Sequence, residues 1–384
     1  MSSGGMVYFS SFDMEKIAGL LSDWRSECPA MGVLALVPEA EKTQVAGLQI
    51  HFRQRKIPLC GAIFPQLIYG SEFRRTGLCL LRFDSMPYVA LHDDLPGDAA
   101  EAARIIADGV GPRLDDDIPA TLFLLLDAML PNIGSLLDEL YLSLANRVHY
   151  AGVNAGSETF QAMPCLFDSQ RQAGNGVLAL LLKPHPGAVL EHGYQSGEHS
   201  LPATSTEGNR IIHIDWRPAF EVYRELVLRQ FGVEINRDNF YRYAVHFPFG
   251  IVRANHSTLV RIPVMLDEDN ALFCIGEVPA HSMLTLLEAP RVDSSATLET
   301  LRLGLSQLRG KPAAAGLLLF YCAGRKQHMG AEAATEELRA FGQLTGASGV
   351  AGALALGEIG ESTLWGYPLF QNATLVTADW GSGQ

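Results

Sequence analysis

Hydrophobic and polar positions follow one another along this chain in a recurring order. An apolar run, Leu317-Leu318-Leu319-Phe320-Tyr321-Cys322, gives way to a polar loop holding Arg325 and His328, then to a segment of helical period at Ala331–Thr345. Small and apolar residues follow from Gly349 to Gly360, and the stretch closes on residues 368–376. Short apolar runs on either side of a helix-period segment predict strand–helix–strand. Gly349, Gly352, Gly357 and Gly360 let a neighbouring backbone or a ligand come close.

The same order occurs elsewhere. Leu122-Phe123-Leu124-Leu125-Leu126-Asp127 precedes a helical segment at 133–146, then Tyr150-Ala151-Gly152-Val153-Asn154-Ala155-Gly156, Pro164-Cys165-Leu166-Phe167 and an apolar run at 176–182. A fainter copy runs from Gly32-Val33-Leu34-Ala35-Leu36-Val37 through a helix at 44–55 and Leu59-Cys60-Gly61-Ala62-Ile63-Phe64 to Leu81. The two strong copies lie about two hundred residues apart, which predicts a duplicated domain and not a solenoid. The fold class that follows is α/β: two related halves with mixed β-sheets flanked by helices.

Between the copies, Asp13 is placed to cap a helix at 13–26. Further helices are expected at 98–110, 218–231 and 298–308. Strands are expected at 88–91, 188–194 and 211–215, with a turn-rich loop at 204–209 and a hairpin formed by 259–265 and 271–277. The expected organisation is a lead-in at 1–30, an N-terminal domain at 31–220 and a C-terminal domain at 221–384.

The 384 residues, about half of them apolar, suffice for two folded domains. A formal charge of −13 argues against nucleic acid and against an anionic membrane surface. No apolar run approaches the roughly 18–20 residues that span a bilayer, so membrane insertion is not expected. Residues 1–8 lack the pattern of a secretory leader, and the six cysteines are scattered without Cys-x-x-Cys. Both point to a cytoplasmic protein with reduced thiols. Nucleophile elbow, His-Glu-x-x-His, P-loop and dinucleotide motifs are all missing, so no enzymatic activity is expected.

Several short motifs together resemble the FIST sensory domains of bacterial signal transduction, an N-terminal and a C-terminal half. They are Gly352…Gly357-Glu358-Ile359, Phe370-Gln371-Asn372-Ala373-Thr374-Leu375, Cys322-Ala323-Gly324-Arg325, Gly276-Glu277-Val278-Pro279 and Asp215-Trp216-Arg217-Pro218-Ala219. As a two-half chain with His192 in Leu190-Glu191-His192-Gly193-Tyr194 and His246 in Val245-His246-Phe247-Pro248-Phe249, it looks like the haem-binding, nitric-oxide-sensing subfamily (NosP). That resemblance implies haem b as cofactor and nitric oxide as signal. It also implies a histidine kinase or a cyclic-di-GMP enzyme as partner, and allows a homo-oligomer.

Haem needs an axial ligand beside an apolar pocket. Of eleven histidines, His192 ends an apolar strand before a glycine and Tyr194, and His246 sits among Tyr243, Phe247 and Phe249; His281 is a third choice. Arg325, after a strand and a glycine, suits a carboxylate or propionate. The alternative is a haem-free FIST sensor that binds an amino acid or similar metabolite through Arg325, Glu358 and Asn372. A third reading makes Cys322 the nucleophile of a thiol hydrolase, with His328 nearby. Asp115-Asp116-Asp117 reads as a solvated acidic loop more readily than as a metal site.

Overall fold

The computed structural model describes residues 5–253, 257–292, 295–309, 316–361 and 367–380. The α/β class with mixed sheets flanked by helices is what the chain adopts, and its repeat is threefold. The first unit comprises β1 (Met6–Phe9), α1 (Met14–Glu27), β2 (Gly32–Pro38), α2 (Val45–Gln54), β3 (Leu59–Phe64), the hairpin β4 (Leu67–Tyr69) and β5 (Glu72–Arg74), and β6 (Leu78–Phe83). The second repeats this as β7 (Tyr88–His92), α3 (Ala99–Val110), β8 (Thr121–Asp127), α4 (Ile133–Leu144), β9 (His149–Ala155), β10 (Leu166–Asp168), β11 (Gln172–Ala173) and β12 (Val177–Leu182).

The third unit begins with β13 (Ala188–Glu191) and is interrupted by an insert. The insert holds β14 (Gln195–Glu207), β15 (Arg210–Ile214), β16 (Arg217–Pro218), α5 (Ala219–Phe231), α6 (Phe240–Tyr243), β17 (Phe249–Val252), β18 (Thr258–Arg261), β19 (Pro263–Leu266), β20 (Leu272–Cys274) and β21 (Met283–Glu288). The unit resumes with α7 (Ala296–Arg309), β22 (Gly316–Cys322), α8 (Ala323–Met329), α9 (Ala331–Thr345), β23 (Gly349–Ala355), β24 (Glu358–Glu361), β25 (Pro368–Gln371) and β26 (Leu375–Trp380).

Each unit pairs its two central strands in parallel, β2 with β3, β8 with β9 and β22 with β23. The return strands β6, β12 and β26 lie antiparallel beside them, with β1, β7 and β13 beyond. The hairpins are exchanged cyclically. That of the first unit joins β23, that of the second joins β3 and that of the third joins β9. Each sheet is thus completed by another unit, and the three close a ring.

At the inner rim the backbones bond across units: the Gly156 N–H donates to the Ile63 carbonyl (2.9 Å) and the Leu356 N–H to the Asn154 carbonyl (3.1 Å). The third position of this cycle is Pro65, which has no N–H to give. Gly61, Gly152 and Gly352 occupy equivalent places in the three parallel pairs. A Cβ at any of them would collide with the carbonyl oxygen of Ala35, Leu124 or Leu319 respectively. Strands buried on both faces explain the continuous apolar runs. Phe64, Phe123 and Phe320, one from each unit, meet with ring centroids 5.6 and 6.0 Å apart.

Helices take their apolar stripes from the expected spacing. In α4, Ile133, Leu136, Leu137, Leu140 and Leu144 are buried. Asp13 caps α1 by accepting from the Glu15 and Lys16 N–H groups. Three local expectations change. Residues 39–44 form a 3-10 turn ahead of α2, so that helix is shorter than 44–55. The expected loop at 204–209 is largely strand: β14 continues to Glu207 because it lies between β21 and β15, which satisfy its Ser- and Thr-rich backbone. The hairpin at 259–277 uses β19 and β20, while β18 turns away to pair with β17.

Candidate functional site

A cavity of about 720 Å3 opens where the second unit, the third unit and the insert meet. Its walls come from the segment that follows β8, from the ends of β9, β22 and β23, from α8, and from α6, β19 and β20 of the insert with the turns beside them. Ligand crevices of α/β sheets lie outside the carboxyl ends of their strands, and the ring of three units places several such ends together. The volume is in the range of small-molecule sites. Met129, Ile262, Val264, Phe273, Ile275 and Phe370 make the lining largely apolar.

Asn154 is the most deeply buried of the polar residues in its lining. The side chain is 1% exposed, and its Oδ1 has no hydrogen-bond partner among the described residues. Its backbone is fixed, the N–H donating to the Gly357 carbonyl at 2.8 Å. A buried amide oxygen left unpaired is costly unless a ligand or water satisfies it. Glu277 forms part of the wall and ties the insert to the second unit. It accepts from the Ser135 N–H (2.9 Å) and the Ser135 hydroxyl (2.6 Å), so it caps α4 where Asn132 supplies no side-chain cap.

Behind Cys322 lies a buried acid. Glu358 accepts from the Thr374 hydroxyl through one carboxylate oxygen, and the other has no partner among the described residues. Burial pushes its pKa up to about 8, against the opposing hydrogen bonds of Thr374 and Cys322. The Cys322 sulfur accepts from the Ala373 N–H at 3.1 Å. Burial, then the neighbouring Glu358, raises the thiol pKa far above its ordinary value, so it stays protonated and is a poor nucleophile. In the second unit the Asp127 carboxylate takes the place of this thiol, accepting from the Asn175 N–H.

The residues expected to hold a cofactor gather on the other side of α8. This helix presents Ala323, Gly324 and Gln327 to the cavity, while Arg325 and His328 face away from it. The sequence placed Arg325 in a polar loop. It lies instead on a seven-residue helix, too short to show a period, and is 2% exposed. Its guanidinium donates to both Glu337 oxygens (2.9 and 2.6 Å) and to the carbonyls of His192 (2.7 Å) and Ala373 (3.4 Å). Burial works against its charge, but the Glu337 carboxylate more than offsets this and holds the pKa above the ordinary arginine value.

His192, Tyr194, His328 and His246 form a chain of rings with centroids 6.1, 6.2 and 5.0 Å apart. The Tyr194 N–H donates to His192 Nδ1 at 2.9 Å, and the Thr258 carbonyl faces the same ring. His246 and His328 share a hydrogen bond between their Nδ1 atoms at 2.9 Å. Burial, with the neighbouring His246 and Arg325, lowers the His328 pKa to about 4, so it is neutral. Burial also lowers those of His192 and His246. Of the aromatic residues near His246, Phe247 lies edge-on to it at 6.4 Å and also packs on Phe231, while Phe249 packs on Tyr223 inside the insert.

These residues do not together fit a haem in the cavity. None of His192, Tyr194, His246 and Arg325 lines it, and Arg325, the expected propionate partner, is spent on Glu337. His281 is exposed at a turn. Asn372, expected in a ligand pocket, stitches the third unit to the insert: its Oδ1 accepts from the Ile262 N–H at 3.4 Å, beside Gln371, whose Oε1 accepts from the Val260 N–H at 2.8 Å. Asp115, Asp116 and Asp117 are exposed, and among the described residues no three His, Cys, Asp or Glu converge on a metal site. Sequence reasoning passed over Asn154, Glu158, Glu277 and Gln327. For Asn154 a signal was there: the equivalent positions of the other two units are Ile63 and Leu354.

Three α/β units thus close a ring with a ligand-sized cavity at its strand ends. The chain belongs to the FIST family: a FIST N domain matches residues 30–217 and a FIST C domain matches residues 219–361. FIST domains are sensory domains of signal transduction. No curated protein matches the chain. No helix among the described residues is long and apolar enough to cross a membrane.

Proposed function

We propose that this protein senses a small molecule bound in the cavity between the second unit, the third unit and the insert. It passes the signal to a separate partner, a histidine kinase or a cyclic-di-GMP enzyme. The observation that carries the reading is a largely apolar cavity of about 720 Å3 whose lining includes buried Asn154, with its Oδ1 unpaired among the described residues. Occupancy changes output only if the ligand binds one state of the protein more tightly than another. Helix α8 supplies a route, because it borders the cavity on one side and the Arg325–Glu337 pair and histidine chain on the other.

A thermal-shift screen of small metabolites tests this, run on the native chain and on Met129→Trp, which narrows the cavity. A ligand that raises the melting temperature of the native chain and not of the variant supports the reading. Stabilisation that is the same in both contradicts it.

A second reading, a haem-bound sensor of nitric oxide, is favoured by the His246–His328 pair. In that hydrogen bond one imidazole donates its Nδ1 proton and so keeps a lone pair on Nε2, the form that ligates iron. Haem would supply the gas-binding iron. An absorption spectrum of the protein expressed with ample haem, beside His246→Ala and His328→Ala, tests this. A stoichiometric Soret band lost in either variant supports it, and a colourless protein refutes it.

A further inference from the structure

Resting on the reading of the cavity as the sensing site, we propose that its ligand is a small organic amine, a protonated amino group on an apolar body, and that carboxylate ligands are excluded. Three independent features converge. First, the acid–base balance of the lining is one-sided: it holds Glu158 and Glu277, and among its described residues there is no lysine, arginine or histidine. A carboxylate entering would find no cation in the lining, and would meet there only the carboxylates of exposed Glu158 and of Glu277, which Ser135 already engages.

The cations nearby are already committed. Arg325 is bonded to Glu337, and Lys326 donates to Gln66 at 2.7 Å while lying over the Phe73 ring. Arg261, buried behind Phe370, donates to the carbonyls of Glu277, Val260 and Phe370. None of the three is among the residues that line the cavity.

Second, the buried polar atom of the lining that is unpaired among the described residues is an acceptor. Asn154 Oδ1 is almost fully buried and needs a donor. Third, Phe160, Tyr241, Phe273 and Phe370 line the walls, and aromatic faces attract an organic cation while accommodating its apolar body. The chain's net charge of −13 adds a long-range pull on cations and none on acids.

The test is calorimetric titration of the full chain with a panel of aryl- and alkylamines, each matched to the carboxylate of the same carbon skeleton. Native protein is compared with Asn154→Asp, Asn154→Leu and Met129→Trp. Amines bind and their carboxylate counterparts do not. Asn154→Leu weakens amine binding by about tenfold or more, the loss expected for a hydrogen bond to a charged group. Asn154→Asp, which keeps the acceptor and adds charge, strengthens it, so the inference does not hang on the leucine variant folding.

Carboxylates that bind as tightly as amines, with binding lost in Met129→Trp, overturn the amine assignment and leave the cavity as a sensing site. Amine binding indifferent to all three variants marks adsorption to an acidic surface and overturns it as well. A panel in which no amine binds overturns it, and if no carboxylate binds either, the cavity reading fails with it.

Discussion

Glu358 provides the sharpest test of the energetics beneath the cavity. Its carboxyl is fully buried, and burial raises its pKa from 4.5 to about 8. The folded protein therefore keeps this proton to a higher pH than the unfolded chain does. The resulting stability is fully present below about pH 4.5 and is lost as pH rises through 8. At about 1.4 kcal/mol per pH unit, the gap between the two values is worth about 5 kcal/mol once the carboxyl is ionised. About 3–4 kcal/mol of that falls between pH 5 and pH 8. Glu358→Gln removes the titration and keeps an oxygen for the Thr374 hydroxyl. The assay is urea unfolding of both proteins at pH 5, 6, 7 and 8, read as the difference between them at each pH, which cancels every other titrating group. The native chain loses stability relative to the variant by several kcal/mol over that range. Parallel curves, or a native chain that gains on the variant as pH rises, would refute the reasoning.

Three more outcomes follow from the same structure. Glu337→Ala leaves the Arg325 guanidinium buried without its carboxylate and costs about 3–5 kcal/mol in urea unfolding, with the linked cluster around His192 loosened. Gly152→Ala drives a methyl group into the Leu124 carbonyl across the β8–β9 pair; it is expected to lower the yield of folded protein or cost about 3 kcal/mol or more in stability, whereas the same change at exposed Gly70 or Gly208 perturbs only its own turn. Iodoacetamide on the native protein modifies half-buried Cys28 before any buried thiol, and Cys322 reacts only on unfolding, as peptide mapping would show; selective labelling of native Cys322 would favour the hydrolase reading.

Much of the scaffold could be read from the chain alone. The central strands β2, β8 and β22 are buried on both faces, so they stand out as unbroken apolar runs, and α1, α4 and α9 show the helical period with a buried stripe. What the pattern does not carry is the cyclic exchange of hairpins, because Leu67–Tyr69 and Glu358–Glu361 pair with strands far away in sequence. Polar composition misled at β14, whose Ser and Thr residues sit in a sheet. A short helix hid the burial of Arg325. The site was legible only in fragments: histidines and Arg325 are visible by residue type, and they do gather, but behind α8. The cavity is assembled from 128–133, 262–277 and 322–327, segments whose meeting depends on tertiary contacts. Asn154 was detectable only as a polar residue where its two counterparts are Ile63 and Leu354.

The most direct measurement is to purify the native chain and Met129→Trp gently, unfold both, and identify by mass spectrometry any small molecule released in proportion to protein. The account predicts a molecule bearing an amine and no free carboxylate, released from the native chain and absent from the variant. Stoichiometric release of haem, or of an acid, from both proteins alike would contradict it.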